Sequence, residues 1–142
     1  MDMKKGRVTG IGGIFFKSED PQKINEWYYE HLGLIPNEYG SLFEYREGSN
    51  PDQIAYAQWG PFKSDTEYFN PSKKEFMINF RVDGIEDIVK RAKESGIEVT
   101  QEIETYEYGK FAHLMDPEGN KIELWEPIDK VFTKLYDGKT TK

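Results

Sequence analysis

Two segments of this chain, Asp20 to Gly33 and Asp83 to Gly96, have the same length and the same punctuation, and that repetition constrains the fold more than any other feature. In the first, Asp20 is placed to cap a helix and Pro21 to open it. Ile24, Trp27, Tyr28 and Leu32 recur at helical spacing, and Gly33 closes the segment. In the second, Asp83 caps, Glu86 sits at the capping-box position, and Ile85, Ile88, Val89 and Ala92 form the stripe that ends at Gly96. A β-type run precedes each helix, Val8 to Lys17 in one case and Phe76 to Val82 in the other. Three shorter runs follow each: Leu34 to Glu38, Ser41 to Glu47 and Gln53 to Trp59, then Ile97 to Gln101, Tyr106 to Met115 and Lys121 to Glu126. The chain reads as an α+β protein of two βαβββ modules, residues 8–60 and 75–127, joined by a polar and aromatic segment, 61–74, that serves as linker or lid loop. In the tail, 128–142, Val131, Phe132 and Leu135 permit one short docked helix, and Asp137 to Lys142 is expected to fray.

The stretch from Phe111 to Pro127 reads as a β-hairpin whose turn sets its register. Asp116 starts a type I turn, Pro117 supplies its fixed φ, and Gly119 takes the left-handed position before Asn120 re-enters a strand. That places His113 opposite Glu123. Because opposed residues share a face, Phe111, His113, Met115, Lys121, Glu123 and Trp125 lie on one side, and Ala112, Leu114, Ile122 and Leu124 on the other. The second set is plain core. The first, with an imidazole, a carboxylate and an indole, suits either a pocket wall or a polar face meeting solvent.

Composition excludes several classes. The chain has 142 residues, enough for a sizeable core without a staple, and no cysteine, which removes disulfides, thiolate metal ligands and a cysteine nucleophile. A net charge of −7 with lysines scattered among acids is not the concentrated basic face of a nucleic-acid binder. The opening residues carry no apolar leader-like run and no stretch is long enough to span a membrane, so the expected location is cytoplasmic. Aromatic residues make up 15% of the chain, more than its core needs, so some are expected to line a ligand site or a subunit contact.

The repeated βαβββ unit, closed by Asp116-Pro-Glu-Gly-Asn-Lys-Ile-Glu-Leu-Trp-Glu-Pro127 and containing Trp27-Tyr-Tyr-Glu-His-Leu-Gly-Leu34, resembles the vicinal oxygen chelate superfamily, which includes glyoxalase I, bleomycin-resistance proteins and extradiol dioxygenases. Met77-Ile-Asn-Phe-Arg-Val-Asp83 and Tyr108-Gly-Lys-Phe111 are similar to its glyoxalase-like members. The resemblance implies a curved mixed sheet around a pocket, helices on the outer face, a homodimer, and in the enzymes one divalent metal held from the first, fourth, fifth and eighth strands. Carried over, the eighth-strand carboxylate falls on Glu123, but the first-strand slot falls on Gly13 and the fifth on Met77, neither of them a ligand. The fourth strand offers Gln53 and Gln58. No bound cofactor is therefore expected, although a divalent metal is what the resemblance implies.

Of the two histidines, His31 is explained by its place in the last turn of the first helix. His113 is the stronger candidate, since a carboxylate on one imidazole nitrogen leaves the other free as a base or a ligand partner. His113 and Glu123 are thus the candidate catalytic pair, or else a self-satisfied structural contact. Asn79 and Arg81 should face the cavity and are candidate ligand-binding groups, with Arg81 suited either to an anion or to an internal ion pair with Glu123 or Glu44. Phe15, Trp59, Phe111 and Trp125 are the candidate pocket aromatics, core or dimer contact being their alternative. The expected function is binding of a small, partly aromatic or anionic organic molecule in a metal-free pocket. The alternative is a glyoxalase-like lyase or isomerase, or a metal-free acid/base enzyme.

Overall fold

The computed structural model describes residues 6–142. The opening segment Met1 to Lys5, read above for a leader, lies outside the described residues. The elements run β1 (Arg7–Ser18), α1 (Pro21–Leu32), β2 (Ser41–Glu47), β3 (Asn50–Lys63), β4 (Phe76–Asp83), α2 (Ile85–Glu94), β5 (Val99–Tyr106), β6 (Gly109–Met115), β7 (Lys121–Pro127) and α3 (Asp129–Tyr136). The seven strands form one open mixed sheet in the order β2-β3-β1-β4-β7-β6-β5. Antiparallel β1 and β4 lie at its centre. Each has a parallel neighbour, β3 or β7, followed by an antiparallel one, β2 or β6, so the sequence repeat reappears as an approximate two-fold arrangement of strands.

The first copy is one strand short of the expected βαβββ. Leu34 to Glu38 makes a single bridge, Asn37 to Gly40, instead of a ladder. Pro36 has no N–H to give, and Gly40, at φ 134°, turns the chain at once into β2. Expected boundaries also move. β3 continues through Pro61 to Lys63, because Phe16, Lys17 and Ser18 of β1 extend beside it and take residues assigned to the linker. β5 runs on to Tyr106, and the break falls at Glu107 and Tyr108, where Gly109, also at φ 134°, opens β6.

Capping explains both helix starts, by different means. Asp20 accepts from Lys23 N at 3.1 Å and Gly33 ends α1 at φ 75°, as its punctuation requires. At α2 the expected Asp83 cap does not form. Gly84 is the N-cap residue, and the free amides of Gly84 and Ile85 donate to Glu126 Oε1 at 2.6 and 3.2 Å, while Glu86 pairs with Lys110 instead of closing a capping box. A carboxylate from β7 thus does the work that a local side chain usually does, and it also opposes the positive end of the helix.

α2 buries Ile85 and Val89 against Val82, Ala112 and Leu124, with Ala92 buried one turn further on, each large side chain contributing about 1.5–3 kcal/mol. Packing of α1 is looser. It buries no residue fully, and its main contact is the ring of Tyr28 at 4.5 Å from Trp59. The face of β1 and β4 that carries Val8, Ile11, Ile14 and Phe76 is left uncovered at those residues.

The last residues do not fray. Thr141 N donates to Leu42 O and Glu44 N donates to Thr141 O, both at 2.9 Å, while the hydroxyls of Ser41 and Thr141 are 2.6 Å apart. A β-branched residue with a hydroxyl suits this place, pairing with the exposed edge of β2 and covering it. Among the described residues no helix is long and apolar enough to cross a membrane.

Candidate functional site

The hairpin register is the one its turn dictates. Asp116 Oδ1 accepts from Glu118 N and Asn120 N, both at 2.8 Å, Gly119 stands at φ 82°, and His113 pairs with Glu123. Ala112, Leu114, Ile122 and Leu124 enter the α2 core. The opposite face carries a polar cluster. His113 Nε2 lies 2.8 Å from Glu123 Oε2, which also accepts from the Tyr68 hydroxyl at 2.5 Å, and Glu123 Oε1 accepts from Asn79 Nδ2 at 2.7 Å. Asn79 and Glu123 meet because parallel β4 and β7 set them side by side.

Tyr68 arrives from the 64–75 loop, which is closely tied down. Phe69 is fully buried, Lys121 Nζ donates to Tyr68 O at 2.7 Å and lies 5.3 Å from its ring, and Phe62 stacks on the other side at 5.3 Å. Burial, reinforced by the Glu123 carboxylate, pushes the Tyr68 phenol far above its ordinary range, so it remains a proton donor. Burial pulls Lys121 below the usual lysine range, with Glu123 opposing. The position of Tyr68 could not be read from sequence, because its partner is remote and the loop has no period.

In front of the cluster lies a cavity of about 640 Å³, within the range of small-molecule sites. Phe15 from β1, Phe62 from β3, Phe111 from β6 and Trp125 from β7 line it, and α3 adds Phe132 and Tyr136. Phe111 stacks on Trp125 at 5.9 Å, and Phe132 meets Trp125 edge-on at 5.4 Å. Sequence reasoning gave the tail a docked helix without seeing that it walls the site. The polar lining comprises Gly12, Glu38, Gln58, Asn79 and Glu123 with several tyrosines, and among the described residues no lysine, arginine or histidine joins it.

The structure brings Asn79, Glu123, Phe15, Phe111 and Trp125 to one cavity. His113, 1% exposed, stands behind Glu123 and does not line it. Trp59 lies on the other face of the sheet against Tyr28 and Phe16. Arg81 is 2% exposed and four of its five guanidinium N–H donors are spent inside the protein. Nε donates to Glu47 at 2.6 Å, Nη1 to Asp129 Oδ1 and Tyr56 O at 2.8 and 3.1 Å, and Nη2 to Asp129 Oδ2 at 2.6 Å. The guanidinium thus forms an internal ion pair, but with Glu47 and Asp129 in place of the expected Glu123 or Glu44. Burial disfavours its charge, yet these bonds outweigh that and hold it protonated above its ordinary range. It also faces Trp125 at 5.4 Å and so supports the cavity wall from behind.

Gly12, Gln58, Asn79 and Glu123 line the cavity from four strands; Gly13, carried over from the resemblance, pairs with both Gln58 and Asn79 and so stands in their row, whereas Met77, also carried over, pairs with Phe15 and does not line the cavity. The extra residue of a bulge between Ile11 and Gly13 brings Gly12 round, and Met77 is 1% exposed. This donor set does not fit a divalent metal. It has one carboxylate, whose oxygens already accept from Tyr68, Asn79 and the imidazole edge, and among the described residues no group of three His, Asp or Glu could hold an ion.

Residues 10–124 match the family model for the Glyoxalase/Bleomycin resistance protein/Dioxygenase superfamily, and the chain belongs to that superfamily. Solved structures share the fold. Methylmalonyl-CoA epimerase from Mycobacterium tuberculosis is 21% identical, with 87% of this chain and 91% of that chain covered at a TM-score of 0.57. The Mn(II)-bound glyoxalase from Novosphingobium aromaticivorans is 14% identical, covering 85% of this chain and 40% of its own at 0.53. A superfamily member from Vibrio splendidus 12B01 is 17% identical, with 85% and 98% covered at 0.50. No curated protein matches the sequence.

Proposed function

We propose that this protein binds a small, partly aromatic organic molecule in the cavity beneath α3, without a resident metal. The observation that carries the reading is the convergence of aromatic rings from four strands and one helix on a cavity whose floor carries the Glu123 carboxylate, already engaged by its neighbours. Rings supply area and stacking at low entropic cost, and a fixed polar end orients what they hold. The engaged carboxylate favours binding over the acid/base alternative. Glu123 has little free capacity to take a proton from a bound molecule, and His113 is screened from the cavity by it. The homodimer belongs to the same proposal, with the uncovered strip at Val8, Ile11, Ile14 and Phe76 as its contact.

The test is direct. Natively purified protein is denatured and its small-molecule fraction analysed by mass spectrometry. In parallel, fluorescence is followed in a Trp27→Phe, Trp59→Phe background, which leaves Trp125 as the reporter, while 2-naphthylmethanol, a neutral aromatic probe, is added. Saturable quenching that Phe111→Ala weakens is the expected result. Absence of saturable binding, with no co-purified molecule, would overturn the reading, and light scattering that gives a monomer would remove its dimer.

A further inference from the structure

The groups in the cavity that are fixed in one hydrogen-bonding role are acceptors. Glu38 stands at the exposed mouth and Glu123 at the floor, and among the described residues no cationic side chain lines the cavity, His113 and the Lys121 ammonium being beside Glu123 but outside the lining. Gln58 has spent its Nε2 on Ser41 O and Trp59 O, at 3.1 and 2.9 Å, which leaves its carbonyl as the available end. Asn79 gives one of its two Nδ2 hydrogens to Glu123, and that bond fixes which way the amide is turned. Its Oδ1 is left without a partner. Of the four buried side-chain atoms in that condition among the described residues, this one belongs to the cavity lining. A glycine at position 12 is what allows the arrangement, because a Cβ there would come within 2.1 Å of Asn79 Oδ1. The tyrosine hydroxyls can serve in either role. The bias is therefore set by two carboxylates, two amide carbonyls and a ring of aromatic faces, and all of these are attracted to the same kind of charge.

We infer that the cavity selects an aromatic molecule carrying a protonated nitrogen, an amine or amidine, over its neutral and anionic counterparts. The anionic ligand considered from the sequence depended on Arg81, whose guanidinium is already committed to Glu47 and Asp129. A cation stacked between rings and directed at a carboxylate gains in a partly desolvated site, whereas a carboxylate in the same place meets two like charges. The nitrogen provides the donors that the amide carbonyls lack, and aromatic faces hold the body of the molecule. This rests on the cavity being a ligand site, as proposed above.

Three probes with one aromatic body separate the possibilities: 2-naphthylmethylamine, protonated at pH 7, 2-naphthylmethanol and 2-naphthoate, each titrated against the whole chain by Trp125 fluorescence in the Trp27→Phe, Trp59→Phe background and by calorimetry. The amine is expected to bind about tenfold tighter than the alcohol, with the carboxylate weakest. Glu38→Gln, at an exposed site where folding is not at risk, should weaken the amine by a few-fold more than it weakens the alcohol. Asn79→Leu should reduce the amine's advantage further. Equal affinity for amine and alcohol, or a preference for the carboxylate, would overturn the inference while leaving the cavity a binding site. If none of the three binds, the proposed function falls with it.

Discussion

Arg81 grips Asp129 through two hydrogen bonds of 2.8 and 2.6 Å, and by doing so ties α3 to the centre of the sheet. Removing a buried charge from such a network strands its partners. Arg81→Met should cost about 3 kcal/mol, because Glu47 and Asp129 are left without the cation they enclose. Asp129→Asn keeps one neutral acceptor and should cost about 1 kcal/mol. Urea unfolding gives both values, and hydrogen exchange across 129–136 should speed up in each variant. A fully stable Arg81→Met would show that the network contributes nothing net.

Tyr68 predicts a response to alkali. Its folded-state pKa is raised, by burial first and the Glu123 carboxylate second, so the folded protein retains a proton that the unfolded chain loses near the ordinary value of about 10. The stabilisation is complete below that pH and declines as pH climbs above it. Wild type should therefore lose stability above pH 10 more steeply than Tyr68→Phe, and the two curves should run parallel at pH 6–8 with the variant lower. Parallel curves throughout would mean that the hydroxyl is not held by Glu123.

Glu126 is expected to act as the cap of α2 at a distance. Glu126→Ala frees the amides of Gly84 and Ile85 and should cost about 1 kcal/mol. Asp83→Ala should change stability by less than about 0.5 kcal/mol. Thermal unfolding of the two variants checks the assignment, which fails if Asp83 is the more sensitive.

The poor fit to a metal can be reversed by design. Asn79 and Gln58 face the cavity with Glu123, so Gln58→Glu with Asn79→His should bring three ligating groups together and create zinc binding that calorimetry detects and wild type lacks. No gain in affinity would mean that these are not the ligand positions of the fold.

What could be read from the sequence was local. The register of His113 and Glu123 followed from the chemistry of Asp116, Pro117 and Gly119, and the ends of α1 followed from Asp20, Pro21 and Gly33, because cause and effect lie within a few residues. The remainder was set by distant partners. Arg81 meets residues 34 and 48 positions away, and Tyr68 meets one 55 positions away. The slot beside Glu123 was misassigned to Met77 because counting along a strand cannot see which residue a parallel neighbour presents. On β1 the expected Gly13 does stand in the row with Gln58 and Asn79, and the bulge before it adds Gly12 to the lining.

Thr141 on the edge of β2 has an effect beyond covering that edge. The chain leaves β7 in the second module, forms one cavity wall as α3, and anchors at the far border of the first module. The halves are thus sewn together twice, by the β1–β4 ladder and by this strap, and neither can swing away alone. For the ligand proposed above, the time spent under α3 would then depend in part on a few hydrogen bonds at Ser41 and Leu42, which touch no atom of it.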